Sequence, residues 1–266
     1  MRHQLLAAAA ALTVTLSAAP AAATPPPTQY AALGDSYAAG VGAGSYDQAS
    51  GDCHRSSRSY AALWAAEHHP AAFLAAACSG AALQDVVADQ LPRVGADTTL
   101  VTLTAGGNDL AFADAVGACL QPFTTDARCD AALDESDRLL REELPGRLDT
   151  TYRAVRTAAP NARVVVTGYP HLLETGGLCA VGTEPRRVRF DALTDRLDEL
   201  IAAQADKQGF RFADPRGPFG GHGVCARDGR EWINRIVLTS LWESFHPTAD
   251  GQSLGYLPVV AAAAEQ

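Results

Sequence analysis

A serine near the start of the sequence, Ser36, is the first residue suited to covalent chemistry. It stands in Gly34-Asp35-Ser36, directly after a short apolar run and before a stretch of small residues. A strand-to-helix turn would expose its hydroxyl, which can attack a carbonyl carbon if a base removes the proton. Gly, Asp and Ser are also common in turns that have no catalytic role, so the tripeptide alone does not establish a site. The rest of the chain must supply a base and donors for the oxyanion that would form.

The best candidate for the base is His246, one of seven histidines. Pro247 follows it, which suits the first turn of a last helix and biases His246 towards an extended backbone. Either of two groups could orient the imidazole: the carboxylate of Glu243 or a backbone carbonyl such as that of Ser244. The weaker candidates are His3 in the leader, His54 beside a cysteine, His68 and His69 at a helix end, and His171 and His222 in loops.

Short apolar segments alternate with helical stretches along the chain. The predicted strands are residues 30–33, 73–77, 99–104, 163–167 and 210–213. The predicted helices are residues 59–68, 82–90, 130–159 with a break at Pro145, 185–208 and 247–264. This alternation predicts an α/β fold: a three-layer α/β/α sandwich whose central parallel sheet has about five strands, buried on both faces.

Polar and small residues follow the carboxyl ends of the predicted strands. Ligands bind at this edge of the sheet in folds of this kind. The segments are Gly34-Asp35-Ser36, Cys78-Ser79-Gly80, Gly106-Gly107-Asn108-Asp109 and Gly168-Tyr169-Pro170-His171. We therefore expect one rim of the sheet to bring together Ser36, Gly80 and Asn108.

The composition limits which classes of protein this chain can belong to. The chain has 266 residues, of which 47% are hydrophobic, enough for one domain with a sizeable core. The formal net charge of -9 argues against a nucleic-acid partner, which would need a basic face.

The amino-terminal residues have the pattern of a secretory signal. Arg2 and His3 precede an apolar run, and small residues end it, so we predict a signal peptide over residues 1–23. Residues 24–28 are expected to be an unstructured remnant, and residues 29–266 a single domain. We therefore expect the protein to be secreted.

Six cysteines fit an exported protein, because an even count in that compartment usually means disulfides. Each sequential pair brackets one connection between elements, so we expect Cys53 to bond Cys78, Cys119 to bond Cys129, and Cys179 to bond Cys225. Their spacing does not suit zinc.

Four blocks in this order resemble the SGNH hydrolases, also called GDSL lipases and esterases. They are Gly34-Asp35-Ser36, Gly80, Gly106-Gly107-Asn108-Asp109 and Ser244-Phe245-His246-Pro247. The chain is most similar to the secreted actinomycete members with three disulfides. It departs from the family pattern at two positions. Tyr37 follows the serine where the GDSL motif has leucine, and Glu243 stands where many members have aspartate. The first change is expected to matter little for chemistry.

The resemblance implies a flavodoxin-like fold and a role for each matching residue. Ser36 would be the nucleophile and His246 the base, with Glu243 or a backbone carbonyl orienting it. The oxyanion hole would be the N–H groups of Ser36 and Gly80 and the amide of Asn108. Asp35 and Asp109 are expected to brace turns.

We predict a carboxylic ester hydrolase that acts on small-molecule or lipid esters. It would need no cofactor or metal, work as a monomer, and make at most transient contact with a lipid surface. A carbohydrate deacetylase is the alternative if the cleft is polar and walled by Trp64, Trp232 and Trp242. A third hypothesis is a secreted binding protein with a degenerate site. An α/β-hydrolase is disfavoured because the sequence has no Gly-x-Ser-x-Gly.

Overall fold

A parallel five-stranded sheet forms the centre of the molecule. The computed structural model describes residues 27–121 and 123–265. The strands are β1 Gln29–Gly34, β2 Ala72–Ala75, β3 Leu100–Thr104, β4 Arg163–Thr167 and β5 Arg211–Ala213. Their order is β2-β1-β3-β4-β5, and every neighbouring pair is parallel. This is the flavodoxin-like order, so the predicted fold is confirmed.

Helices cover both faces of the sheet. They are α1 Ser36–Ala39, α2 Tyr60–His68, α3 Leu83–Asp85, α4 Phe112–Leu120, α5 Asp126–Glu142, α6 Leu144–Ala158, α7 Glu184–Lys207, α8 Arg216–Phe219 and α9 Leu257–Glu265. Helices α2 and α9 pack together on one face, and α5, α6 and α7 pack together on the other. Both α7 and α9 contact β4 and β5, which lie between them. No helix in the described ranges is long and apolar enough to cross a bilayer.

The strands differ in burial according to their place in the sheet. All of β3 is buried, and so is β1 beyond Gln29. The expectation of burial on both faces is wrong for β2, where the side chain of Phe73 is exposed. That strand is at an edge of the sheet and has β1 as its one neighbour, so less of it is covered.

Proline predicts one helix boundary correctly and another wrongly. The predicted break at Pro145 is confirmed, because α5 ends at Glu142 and Pro145 stands in the first turn of α6. Helix α4 was not predicted. The prediction that Pro247 opens the last helix is wrong: Pro247 pairs with Ile233 in a β-bridge.

The last helical region is instead a π-helix, Gly251–Tyr256, that continues into α9. Gly255 lies so close to Phe219 that a Cβ would be 2.1 Å from the ring. A second π-helix, Val86–Gln90, follows α3 where the sequence predicted one continuous α-helix. Each π-helix carries a buried glutamine, Gln90 or Gln252.

The amino-terminal predictions fall largely outside the described residues. The predicted signal over residues 1–23 lies there, as does most of the remnant at 24–28. Thr28 is described, and its carbonyl accepts a hydrogen bond from Ala71 N at 2.8 Å. Thr28, the last residue of the predicted remnant, therefore pairs through its backbone with the segment entering β2.

The structure contains the three expected disulfides. Their Cα atoms are 4.1 Å apart in Cys53–Cys78, 4.5 Å in Cys119–Cys129 and 5.6 Å in Cys179–Cys225. The disulfide Cys119–Cys129 closes the connection from α4 to α5, whereas the other two enclose whole helices and strands. All three limit the freedom of the unfolded chain.

Candidate active site

The turn between β1 and α1 presents Ser36. Gly34 has φ of 126°, and a Cβ there would be 2.1 Å from the carbonyl oxygen of Thr104, so only glycine fits. Asp35 caps α1, because its carboxylate accepts from Tyr37 N at 2.9 Å. Ser36 is consequently held at the first position of the helix.

His246 lies within hydrogen-bond distance of the serine. The distance from His246 Nε2 to Ser36 Oγ is 2.7 Å, and that from Nδ1 to the carbonyl oxygen of Ser244 is 3.0 Å. A carbonyl can only accept, so Nδ1 carries the proton and Nε2 is free to accept from the serine hydroxyl. Burial lowers the pKa of His246 to about 4, so the imidazole is neutral near pH 7. The pair has the geometry and charge state of a nucleophile and its general base.

The Ser244 carbonyl, not the Glu243 carboxylate, orients the imidazole. Glu243 was one of the two predicted groups, and its Oε1 instead accepts from the hydroxyl of Tyr46 at 2.5 Å. Glu243 ends a 3-10 helix, Leu241–Glu243, that directs its side chain towards the loop after α1. Of the two groups that the sequence left open, the contact with the imidazole is made by the Ser244 carbonyl, which is the arrangement of a Ser–His dyad with a backbone acceptor.

Two contacts hold the backbone beside His246. Phe245 has φ of 60°, an uncommon conformation for a residue with a Cβ. The hydroxyl of Tyr37 donates to Phe245 O at 2.9 Å, and Asn234 O accepts from Phe245 N at 3.0 Å. Tyr37 follows the nucleophile directly, so the hydroxyl that distinguishes it from leucine ties the serine turn to the histidine loop.

The three predicted oxyanion donors lie on neighbouring segments. Ser36 and Asn108 line the same cleft as His246, whereas Gly80 lines a separate depression with Cys53 and Cys78. One hydrogen of the Asn108 amide goes to Ala81 O at 3.0 Å, and the other is available to an oxyanion. That bond joins the Asn108 loop to the turn containing Gly80.

Gly80 adopts φ of 80°, and a Cβ there would meet nothing within 4 Å. Glycine is therefore required by the turn, and the space in front of it is open. Among the described residues, neither the N–H of Gly80 nor that of Ser36 has a hydrogen-bond acceptor. Both are free to donate to a bound substrate.

Asp109 braces the same two segments. Its carboxylate accepts from Leu83 N at 3.0 Å and from Arg147 at 3.2 Å. Burial raises the pKa of this carboxyl, and the bonds from Leu83 and Arg147 oppose that rise. Asp109 thus has the bracing contacts expected of it.

Tyr169 connects the nucleophile turn to the Asn108 loop. Its hydroxyl donates to Asp35 Oδ2 at 2.5 Å and accepts from Gly107 N at 3.1 Å. Its own backbone N–H donates to Asp198 Oδ1 at 2.9 Å. The carboxyl-end rule had placed Tyr169 at the rim, but nothing in the sequence showed what its hydroxyl would bind.

Two buried glutamines also support the site and were not predicted. Gln90 holds Gly34 from both sides, accepting from its N–H and donating to its carbonyl, each at 2.8 Å. Gln252 donates to Tyr37 O at 3.0 Å and accepts from Tyr60 N at 2.8 Å. Glutamine is common on exposed helix faces, so its type and position in the sequence did not point to this role.

The cleft around the dyad has a volume of about 650 Å³ and is mostly apolar. Its lining includes Phe112, Val116, Phe123, Leu172, Ile236, Leu238, Leu241, Trp242 and Phe245. Of the three tryptophans, Trp242 lines the cleft, Trp64 is buried in the core, and Trp232 stacks on His222. An apolar cleft with one tryptophan suits an acyl chain better than a sugar.

Four of the other candidate histidines have different partners, and His3 lies outside the described residues. His171 Nε2 lies 2.9 Å from Asp195, and His222 Nδ1 lies 2.9 Å from Arg230 O. His54 stacks on Trp242 with ring centroids 3.8 Å apart, and His68 stacks on Trp64. None of these contacts joins them to Ser36.

A serine paired with a neutral histidine at the carboxyl ends of a flavodoxin-like sheet defines a serine hydrolase. The chain belongs to the GDSL-like Lipase/Acylhydrolase family, whose model matches residues 32–254. It is therefore a carboxylic ester hydrolase with the fold and the family that the resemblance implied.

Several Streptomyces proteins are similar over nearly the whole chain. A lipase from Streptomyces rimosus is 45% identical, over 89% of this chain and 87% of its own. The crystal structure of the extracellular lipase from that organism has a TM-score of 0.85 and is covered over 99% of its length. Phospholipase A1 from Streptomyces albidoflavus NA297 is 43% identical with a TM-score of 0.86, covering 90% of this chain and 100% of its own.

Proposed function

We propose that this protein is a secreted serine esterase or lipase that cleaves carboxylic esters of apolar acyl chains. The observation that carries the proposal is the 2.7 Å contact between Ser36 Oγ and His246 Nε2 in the lining of an apolar cleft. The Streptomyces relatives, a lipase and a phospholipase A1, support the same class of substrate. Secretion is supported by the leader pattern, by the three disulfides, and by the relative described as extracellular.

The first half of the reaction forms an acyl-enzyme. Ser36 Oγ attacks the ester carbonyl carbon while His246 Nε2 takes the hydroxyl proton, and the Ser244 carbonyl stabilises the imidazolium through Nδ1–H. The carbonyl oxygen becomes an oxyanion within reach of the N–H groups of Ser36 and Gly80 and the amide of Asn108. The C–O bond to the alcohol then breaks, and His246 donates its proton to the leaving oxygen.

The second half releases the acid. A water molecule gives a proton to His246 Nε2 as its oxygen attacks the acyl carbon, and the same donors hold the second oxyanion. The bond to Ser36 Oγ breaks, the proton returns to the serine, and the carboxylic acid leaves. These steps use side chains and backbone groups of this chain alone. Loss of one oxyanion donor should lower the rate by about 10²- to 10³-fold.

The test is a substrate series on the wild type and Ser36→Ala. It contains p-nitrophenyl esters of increasing acyl length, a phosphatidylcholine and an acetylated sugar. The proposal predicts cleavage of the acyl esters, higher kcat/KM for chains long enough to fill the cleft, and loss of activity in Ser36→Ala. Preferential cleavage of the acetylated sugar would support the deacetylase alternative, and no turnover by folded wild type would support a binding protein.

A further inference from the structure

Large apolar side chains are exposed around the mouth of the active-site cleft. The relative exposures are 105% for Phe123, 85% for Leu238 and 66% for Leu241, and Trp242 beside them is exposed by about a third. All four line the cleft that contains Ser36 and His246. We call Phe123, Leu238, Leu241 and Trp242 the apolar rim. Leaving such side chains in water is unfavourable, and an apolar patch next to a site often marks a binding surface.

The Phe123 side of the rim lies on a braced loop. Phe123 is in the connection from α4 to α5, which the disulfide Cys119–Cys129 closes. The guanidinium of Arg186 donates to Cys119 O at 3.2 Å and to Thr124 O at 3.0 Å. The backbone on both sides of Phe123 is therefore tied to α7, while its side chain points into solvent.

The part of the rim that contains Leu241 and Trp242 is held by aromatic stacking. Trp242 stacks on His54 with a centroid distance of 3.8 Å and packs edge-on against Tyr46 at 4.9 Å. The hydroxyl of Tyr46 also donates to Glu243, the next residue. These contacts fix the 3-10 helix Leu241–Glu243 beside the cleft and leave the side chain of Leu241 exposed.

The charges around the cleft select the kind of surface that the rim could meet. Of the described residues that line it, none is Lys or Arg, and the one acid is the buried Asp35. The formal net charge of the chain is -9. An anionic membrane binds basic patches and would repel this protein, whereas an uncharged or zwitterionic surface would not.

We propose that the apolar rim docks the protein onto an uncharged or zwitterionic lipid surface with the cleft facing the lipid. The inference rests on the proposed function, because it makes that surface the source of the ester. Phe123 enters the interface from the connection between α4 and α5, and Leu238 and Leu241 enter it from a second segment that lines the same cleft. An acyl chain can then pass from the lipid to Ser36 along apolar side chains without crossing water.

The experiment measures binding and not turnover. Wild-type protein is co-sedimented with vesicles of ether-linked phosphatidylcholine, which contain no acyl ester to hydrolyse. The rim variant is Phe123→Ser/Leu238→Ser/Leu241→Ser. The matched control is Leu178→Ser/Val188→Ser/Leu254→Ser, which removes three exposed apolar side chains that lie outside the cleft. Circular dichroism and the melting temperature establish that each variant is folded.

We expect wild type and control to bind equally and the rim variant to lose about tenfold or more in partition coefficient. Adding anionic phosphatidylglycerol should weaken the binding of all three. The proposal is overturned if wild type does not bind, if the control loses as much as the rim variant, or if sedimentation velocity shows that the rim joins two copies of the chain. Hydrolysis of a dissolved short ester by wild type separates this failure from failure of the proposed function.

Discussion

The hydroxyl of Tyr169 stands between Asp35 and Gly107, donating to the carboxyl at 2.5 Å and accepting from the backbone N–H at 3.1 Å. Asp35 caps the helix that begins at Ser36, and Gly107 precedes Asn108. One hydroxyl therefore bridges the turn of the nucleophile and the loop of a predicted oxyanion donor. Tyr169 acts through other residues and is a positioning residue.

Replacing Tyr169 by Phe should lower kcat by about tenfold and change KM by less than about twofold, because positioning matters most in the transition state. The variant leaves Gly107 N–H and one oxygen of Asp35 without their buried partner, which costs about 1–3 kcal/mol of stability. Steady-state kinetics and thermal unfolding measure the two effects.

Tyr152→Phe is the matched control. Tyr152 is a buried tyrosine whose hydroxyl has no hydrogen-bond partner in the described part of the chain. Its loss should leave kcat unchanged and stability equal or higher. Equal kinetic effects of the two substitutions would contradict a positioning role for Tyr169.

Replacing Glu243 by Ala should leave kcat within about threefold of wild type, because the Ser244 carbonyl orients His246. Glu243→Gln keeps an acceptor for Tyr46 and should behave like wild type. Kinetics on a soluble ester make the comparison. A loss of about 10³- to 10⁴-fold in both variants would show that the carboxylate is part of a triad.

The pH dependence of kcat/KM should have its acid limb near pH 4. His246 accepts the serine proton only when it is neutral, and burial lowers its pKa to about 4. Activity should therefore persist as the pH falls through 6.5, the ordinary pKa of histidine, and decline below about pH 5. Burial raises the pKa of the Asp35 carboxyl to about 7. A fall in kcat/KM near pH 7 would therefore be assigned to the titration of Asp35. An acid limb at 6.5 that Asp35→Asn leaves in place would contradict the assignment.

The disulfide Cys53–Cys78 should matter for turnover as well as for stability. It holds the turn of Gly80, and Ser79 N donates to Cys53 O at 3.2 Å. We expect Cys53→Ser/Cys78→Ser to lower kcat by about tenfold through a displaced oxyanion donor, in addition to losing about 3–4 kcal/mol of stability.

The control for that double variant is Cys179→Ser/Cys225→Ser. This bond closes a longer loop of the chain, with a sequence separation of 46 against 25, so its loss should reduce stability. It lines a different depression, so its loss should leave kcat unchanged. The comparison uses kcat at a temperature where both variants are folded. If kcat is unchanged in both double variants, the disulfide Cys53–Cys78 does not position the oxyanion hole.

The local parts of this structure could be predicted from the sequence. The strand at Arg163–Thr167 has its predicted bounds because three valines in a row favour buried extended backbone. Ser36, Asn108 and His246 follow strands or precede a proline, and the strand order brings them to one rim. These residues were predictable because each belongs to a motif with a fixed place in the chain.

The long-range polar contacts were not predictable. Gln90 reaches Gly34 across 56 positions, and Tyr37 reaches Phe245 across 208. Such bonds depend on which helix face turns inward, and the π-helices alter that face for Gln90 and Gln252. The choice between Glu243 and the Ser244 carbonyl depended on the backbone of Phe245, whose positive φ has no marker in the sequence.

The central claim is that Ser36, activated by His246, is the nucleophile. The most direct measurement is labelling with a fluorophosphonate probe followed by peptide mass spectrometry of wild type, Ser36→Ala and His246→Ala. The predicted result is one phosphonyl group on the peptide containing Ser36, none in Ser36→Ala and strongly slowed labelling in folded His246→Ala. Labelling of another residue, or no labelling of a wild type that cleaves esters, would contradict the claim.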